Sequence, residues 1–159
     1  MIISNISNIK PCHYNDIFDI LDIELDYSRI FQSRPFEKKF EWKPIRENFQ
    51  TKEIIEFLSL HFEFDSEKFK QAPTVLKKND QIHIRGQTDL IFNDSILFEI
   101  KKQDTTKWEK FKVQAIVYLM LYSQQLKKNM TLVLTDLNKR YFYFYSEFDV
   151  KRQRFILKQ

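Results

Sequence analysis

Among its 159 residues the chain has one glycine, Gly86, and four prolines. Glycine takes left-handed backbone without strain, so a chain almost without it must build its tight turns from Asn, Asp, Ser and Lys. Polar clusters of this kind punctuate the sequence at Asn93-Asp94-Ser95 and again over residues 136–140, DLNKR. The stretches between them carry regular apolar spacing, so the turns and the elements they separate can be read together.

Residues 51–62, TKEIIEFLSLHF, read as an amphipathic helix. Thr51 can cap it, and Ile54, Leu58 and Phe62 recur at helical spacing. Residues 65–70 extend it or begin a second helix, which Pro73 closes. The run QIHIRGQTDLIF (81–92) alternates like a strand, Asn93-Asp94-Ser95 forms a turn, and ILFEIKK (96–102) alternates again. So short a connection predicts a β-hairpin. Residues 105–127 form the clearest helix, capped by Asp104 or Thr105, with Trp108, Phe111, Ala115, Leu119 and Tyr122 on one stripe. Strands TLVLT (131–135) and YFYFY (141–145) follow, and RFIL is expected to add a last strand. The order predicts an α/β (α+β) sandwich around a central mixed sheet flanked by helices.

Hydrophobic residues make up 43% of the chain and charged residues 30%, with 16 Phe and 7 Tyr, which suits a folded domain with an aromatic core. We read residues 1–159 as a single domain: an N-terminal elaboration over 1–50, a core over 51–145 and a basic tail over 146–159. Residues 15–26 are acidic, but apolar residues separate their carboxylates, which fits a solvated edge rather than a metal site. The one cysteine, Cys12, excludes an internal disulfide and a thiolate zinc cluster. The first residues are polar, and no apolar run approaches the roughly 18 residues of a membrane span, so an intracellular protein without a membrane partner is expected. A net charge of +4 and a pI of about 9.0 permit nucleic-acid binding. The chain has no glycine-rich phosphate loop and no serine in a glycine-flanked elbow, which argues against a nucleotide-driven motor or a serine hydrolase.

The hairpin carries the chemistry. Strand side chains alternate, so Glu99 and Lys101 share a face, with Phe98 and Ile100 on the other, turned to the core. Antiparallel pairing across the turn can bring Asp89 opposite that charged pair, depending on register. Two carboxylates and a lysine converging on one face are costly without a purpose, and a divalent cation supplies one. Asp89 and Glu99 offer hard oxygen ligands and the Ile100 carbonyl a third. Mg²⁺ or Mn²⁺ there would bind a phosphate oxygen and lower the pKa of a water, while Lys101 orients that water or stabilises charge on the phosphate.

Gly86-Gln87-Thr88-Asp89, then Glu99-Ile100-Lys101, then Gln114-Ala115-Ile116-Val117-Tyr118 resemble the PD-(D/E)xK nuclease superfamily. They are similar to its group with GxxD, acidic-x-Lys and QxxxY motifs, which includes RecB-type nuclease domains and relatives of lambda exonuclease. The likeness spans residues 81–145. It implies a restriction-endonuclease-like αβββαβ core and phosphodiester hydrolysis with Mg²⁺ or Mn²⁺. It also implies metal ligation by Asp89 and Glu99, a catalytic Lys101, and Gln114 and Tyr118 on a helix near the scissile phosphate. Thr88 stands where many members have proline, and Glu99 where the RecB-type group usually has aspartate.

Other residues are candidates around this core. On the 105–127 helix, Lys107, Lys110, Gln114 and Tyr118 form a stripe suited to a phosphate backbone, or else a plain solvated face. Members of the resembled family often direct a Glu or His from a preceding helix at the metal; the candidates here are His61, Glu53 and Glu56, although a His on an apolar face is more often a core residue. His83, Arg85 and Asp89 could share a strand face, and Arg85 either contacts substrate or pairs with a carboxylate. Gly86 is expected to allow a positive φ, a bulge, or close approach of DNA to the backbone. The YFYFY strand fits core and sheet edge better than a stacking platform, and the basic tail, Lys151, Arg152, Arg154 and Lys158, fits phosphate tracking and a solvated end equally well.

The reading that follows is a divalent-metal-dependent nuclease, on DNA rather than RNA. The alternative is an inactive nuclease-fold module that binds nucleic acid or a protein partner. That alternative predicts loss of Asp89, Glu99 or Lys101, and all three are present.

Overall fold

A computed structural model of the chain describes residues 2–24, 27–32, 36–37, 55–56, 59, 64–101, 108–136, 141–147 and 150. Its strands are β1 (Ile2–Asn5), β2 (Phe36–Glu37), β3 (Phe69–Lys70), β4 (Val75–Lys78), β5 (Ile82–Gly86), β6 (Leu90–Phe92), β7 (Ile96–Ile100), β8 (Thr131–Asp136) and β9 (Tyr141–Ser146). Its helices are α1 (Tyr14–Ile20), α2 (Tyr27–Phe31) and α3 (Trp108–Leu126). Ile55, Glu56 and Ser59 are also helical, within the stretch where the sequence predicts a helix.

The strands make a six-stranded sheet, β2-β9-β8-β7-β6-β3, and a three-stranded sheet, β1-β5-β4. Both are mixed: β7 runs parallel to β8 and β1 parallel to β5, while the other pairs are antiparallel. The architecture is therefore α+β, with helices packed on a mixed sheet.

The β6–β7 hairpin forms where the polar cluster predicts it. Asn93 and Asp94 both take positive φ, 50° and 54°, and the Ser95 N–H returns to the Phe92 carbonyl at 3.0 Å. Asp22 and Lys127 also adopt positive φ. Short polar side chains and a helix-ending lysine thus do the work that glycine does elsewhere. After α3, the Lys128 N–H reaches back to the Ser123 carbonyl at 3.3 Å, closing the last turn.

The large sheet is covered on both faces. On one, Phe69, Leu90, Phe98, Ile100, Val133 and Phe142 form a cluster against which Ile55 and Phe64 pack. Phe64 lies 4.6 Å from Phe92 and 6.0 Å from Phe98, centroid to centroid. Aromatic pairs of this kind are worth about 0.5–1.5 kcal/mol each beyond their area burial. On the other face α3 packs against β8 and β9, and it also contacts β4 and α2.

Every residue of α3 from Lys112 to Ser123 is buried. A helix enclosed all round has no polar face to offer solvent, and this corrects the expected solvated stripe. Among its buried residues is Lys112, whose Nζ donates to the Phe31 carbonyl at the end of α2 (3.1 Å) and lies over the Tyr143 ring. Burial lowers its pKa, opposed by the nearby Glu109 charge.

The run 81–92 is not one strand. It breaks after Gly86, so β5 belongs to the small sheet and β6 to the large one. Residues 65–70 do not extend a helix: Asp65 caps a single 3-10 turn, Ser66–Lys68, and Phe69 then pairs with Phe92. Strand β4 adds an element that the sequence reading does not contain. The acidic stretch behaves as expected, with Asp16, Asp19, Asp22 and Glu24 exposed and Ile17, Phe18, Leu21 and Ile23 buried. The expected RFIL strand lies outside the described residues. Among the described residues, no helix is long and apolar enough to cross a membrane.

Candidate active site

Leu90 stands opposite Phe98 in the hairpin, and Asp89, just before the paired register, comes beside Glu99. One backbone bond and one bond to its side chain hold Asp89 there. The Asp89 N–H donates to the Phe98 carbonyl at 3.1 Å, and the Ile100 N–H donates to Asp89 Oδ2 at 2.7 Å. Alternation then turns Glu99 to the same face as Leu97, toward α3, while Phe98 and Ile100 join the opposite core cluster.

The two acids differ in surroundings. Asp89 is exposed, whereas Glu99 is only 6% exposed. Burial pushes the Glu99 carboxyl well above its ordinary range, and a hydrogen bond with Asp89 and the Asp89 charge push it further. Lys101 and the Ile100 N–H act in the opposite direction. The pair thus sets a buried acid directly behind an exposed one, an arrangement that favours a shared proton or a cation between them.

Lys101 follows at the end of β7. Its N–H donates to the Thr135 carbonyl at 2.8 Å, which ties its backbone to β8. Its Nζ lies 4.5 Å from the centroid of the Phe111 ring on the first turn of α3. The half-buried lysine therefore sits on the Glu99 side of the sheet, its stem packed and its charge close enough to act on that carboxyl.

Gln114 and Tyr118 of α3 lie behind the acids. Gln114 is 0% exposed; its Nε2 donates to the Ser7 carbonyl at 3.0 Å, and its Oε1 has no partner among the described residues. Tyr118 is 3% exposed. Its pKa is raised by burial first and by the Glu99 charge second. Neither side chain presents surface to a nucleic-acid strand in this state; Gln114 holds the Ser7 backbone, and the Tyr118 ring is packed in the core. The physical reason is that segments far away in sequence, around Ser7 and Gln87, cover the face of α3 that a local reading leaves open.

Gly86 has no positive φ, and it keeps regular register with Val75. What requires glycine is space: a Cβ there would lie 2.7 Å from Tyr118 Cε1 and 3.0 Å from Ile6 Cδ1. The close approach is by the chain's own tyrosine, which corrects the expected bulge, positive φ or DNA contact.

The remaining candidates are dispersed. Arg85 is exposed on β5, in register with Asn5 and Leu76, and His83 is paired with Ile3 and Lys78. The break at residues 87–89 separates both from the sheet that carries Glu99, so they do not continue one strand face to Asp89. Lys110 is half-buried on the first turn of α3, and Glu56 is exposed. His61, Glu53 and Lys107 lie outside the described residues. Tyr122, read from the sequence as a core residue, also enters the site. Its hydroxyl accepts from the Thr88 N–H at 3.1 Å and donates to the Pro73 carbonyl. Its position one turn after Tyr118 was the only signal for this.

The donor set tests whether a divalent ion suits this place. No group of three or more His, Cys, Asp or Glu side chains gathers for a metal among the described residues. What gathers is a pair, Asp89 and Glu99, at the end of a strand where the Ile100 carbonyl is the third candidate oxygen. Two carboxylates and a carbonyl suit Mg²⁺ or Mn²⁺, which hold several waters or phosphate oxygens besides their protein ligands.

No family model matches the chain, and no curated protein matches it. A solved structure described as "Crystal structure of SSO0001" is similar at 22% sequence identity with a TM-score of 0.40, over 64% of this chain and 52% of that one. This chain spans about half the length of that structure, and a likeness at this level carries no argument about function.

Proposed function

We propose that the chain is a divalent-metal-dependent nuclease that hydrolyses phosphodiester bonds, in DNA rather than RNA, at Asp89, Glu99 and Lys101. One observation carries the reading: Asp89 and Glu99 meet across the hairpin with Glu99 buried, although burial and mutual repulsion both oppose two charges there. A divalent cation bound between the two acids would offset both costs.

In this reading Asp89 and Glu99, with the Ile100 carbonyl, hold Mg²⁺ or Mn²⁺. The bound ion supplies charge to neutralise a phosphate oxygen and to acidify a water. Asp89 Oδ2 is fixed by the Ile100 N–H, so the first acid does not swing away between turnovers. Glu99 stays aligned because β7 is paired on both sides, with β6 and β8. Lys101, its stem against Phe111, brings an ammonium to the same face, where it orients the attacking water or stabilises charge developing on the phosphate. The chain order also agrees with a restriction-endonuclease-like core: a hairpin with the acidic-x-Lys segment on its second strand, a helix, and a strand parallel to that second strand.

The test is a cleavage panel of single-stranded and duplex DNA and RNA, linear and circular, in Mn²⁺, Mg²⁺ or EDTA. Metal-dependent cutting that Asp89→Asn abolishes is the expected result. Binding without cutting in either metal would instead favour an inactive nucleic-acid-binding module.

A further inference from the structure

The route from the small sheet to the large one runs through Gln87 and Thr88. β5 ends at Gly86 and β6 begins at Leu90, so Asp89 is delivered to Glu99 by a crossing whose Gln87 and Thr88 N–H groups lie outside both sheets. Buried backbone N–H groups need partners. For Thr88, which is buried, a tyrosine of α3 provides the partner: the Tyr122 hydroxyl takes the Thr88 N–H at 3.1 Å. The Tyr122 hydroxyl then donates to the Pro73 carbonyl, and the Gln87 side-chain amide donates to the Ala72 carbonyl at 2.5 Å. The crossing is thereby fastened both to the helix and to the Ala72–Pro73 segment.

We infer that Tyr122 is a positioning residue for Asp89: through Thr88 it fixes the backbone that sets the first acid against the second. This rests on the reading of Asp89 and Glu99 as metal ligands. Tyr122 is 0% exposed, so it acts without touching a substrate. Its ring fills the core, and its oxygen is the part that holds the crossing. Partners behind metal ligands commonly change metal affinity by about 10–100-fold when removed.

The experiment is Mn²⁺ titration by calorimetry, without nucleic acid, on the full chain and on Tyr122→Phe, which keeps the ring and removes only the oxygen. Ile17→Val, in the buried face of α1, serves as a control for general destabilisation. Tyr122→Phe is expected to weaken Mn²⁺ binding about tenfold and to raise the Mn²⁺ needed for half-maximal cleavage in parallel, while Ile17→Val leaves both unchanged. Wild-type binding that Asp89→Asn abolishes, together with Tyr122→Phe binding as tightly as wild type, overturns the positioning role alone. Absence of Mn²⁺ binding by the wild type overturns the metal site itself, and the positioning role with it. If Tyr122→Phe does not fold, Gln87→Leu removes the other tie on the same crossing, its side-chain bond to the Ala72 carbonyl, and unchanged Mn²⁺ affinity there overturns the proposal.

Discussion

Gly86 and Tyr118 stand so close that a Cβ on the glycine would lie 2.7 Å from Cε1 of the tyrosine. The ring has little freedom to retreat, because it is 3% exposed in the core and Ile6, 0% exposed, stands 3.0 Å from the same Cβ. Gly86→Ala is therefore expected to destabilise the fold by about 1–3 kcal/mol, the usual range for overpacking a filled core. In a chain of this size that lowers the melting temperature by several degrees. Cleavage should fall further than the folded fraction, because the displaced tyrosine shifts the crossing to Asp89. A thermal melt like that of the wild type would contradict the close packing.

Glu99→Gln tests the buried acid. The swap preserves shape and removes a carboxyl that burial and Asp89 both hold above its ordinary pKa. Stability in metal-free buffer at neutral pH is expected to rise by about 1 kcal/mol, because a buried charge without a compensating cation is lost. Cleavage is expected to fall by about 100-fold or more. Denaturant titration and a cleavage assay on the same preparation check both, and a variant less stable than wild type speaks against the repulsive pair.

The same carboxyl predicts a pH dependence whose sign follows from linkage. The folded pKa of Glu99 is raised above the ordinary 4.5, so the folded state binds more protons than the unfolded one above that pH. The contribution of Glu99 to stability is complete below about pH 4.5 and is lost as pH rises through the folded pKa. Metal-free melting temperatures should fall over that window, less so in Glu99→Gln. Saturating Mn²⁺ should restore more stability at high pH than at low pH, because it takes the place of the proton. Equal Mn²⁺ stabilisation at pH 5 and pH 8 is the outcome that excludes this coupling.

Lys101→Met keeps an apolar stem against Phe111 and removes the ammonium. Because the lysine is only half-buried, the melting temperature should change little. The turnover rate is expected to drop by about 100-fold while Mn²⁺ affinity and KM stay within a few-fold, the pattern for a group that acts on the reacting phosphate. A loss confined to KM would reassign Lys101 to substrate binding.

The meeting of the two acids was legible because it depends on local rules alone. Residues 96–100 alternate, Asn93 and Asp94 accept left-handed backbone, and a hairpin closed by so short a turn leaves few registers for Asp89. The 65–70 segment was not legible. Ser-Glu-Lys has ordinary helix propensity, but Phe69 pairs with Phe92 and packs 5.7 Å from Phe98, and long-range aromatic burial outweighs a few tenths of a kcal/mol of local preference. The break in the 81–92 run was equally hidden, because alternation in the letters continues through the crossing while the hydrogen-bond partners change.

From the sequence alone came the hairpin, the shared face of Glu99 and Lys101, the long helix and the β8–β9 pair, all set by spacing between near neighbours. Tertiary structure alone decided that α3 is enclosed from Lys112 to Ser123, that Gln114 holds the Ser7 backbone, that Gly86 makes room for a ring, and that Tyr122 reaches Thr88. Those facts depend on contacts between residues tens of positions apart, from Ser7 to Gln114 and from Pro73 to Tyr122. Periodicity reports which side of an element is apolar, not which distant segment comes to cover the other side.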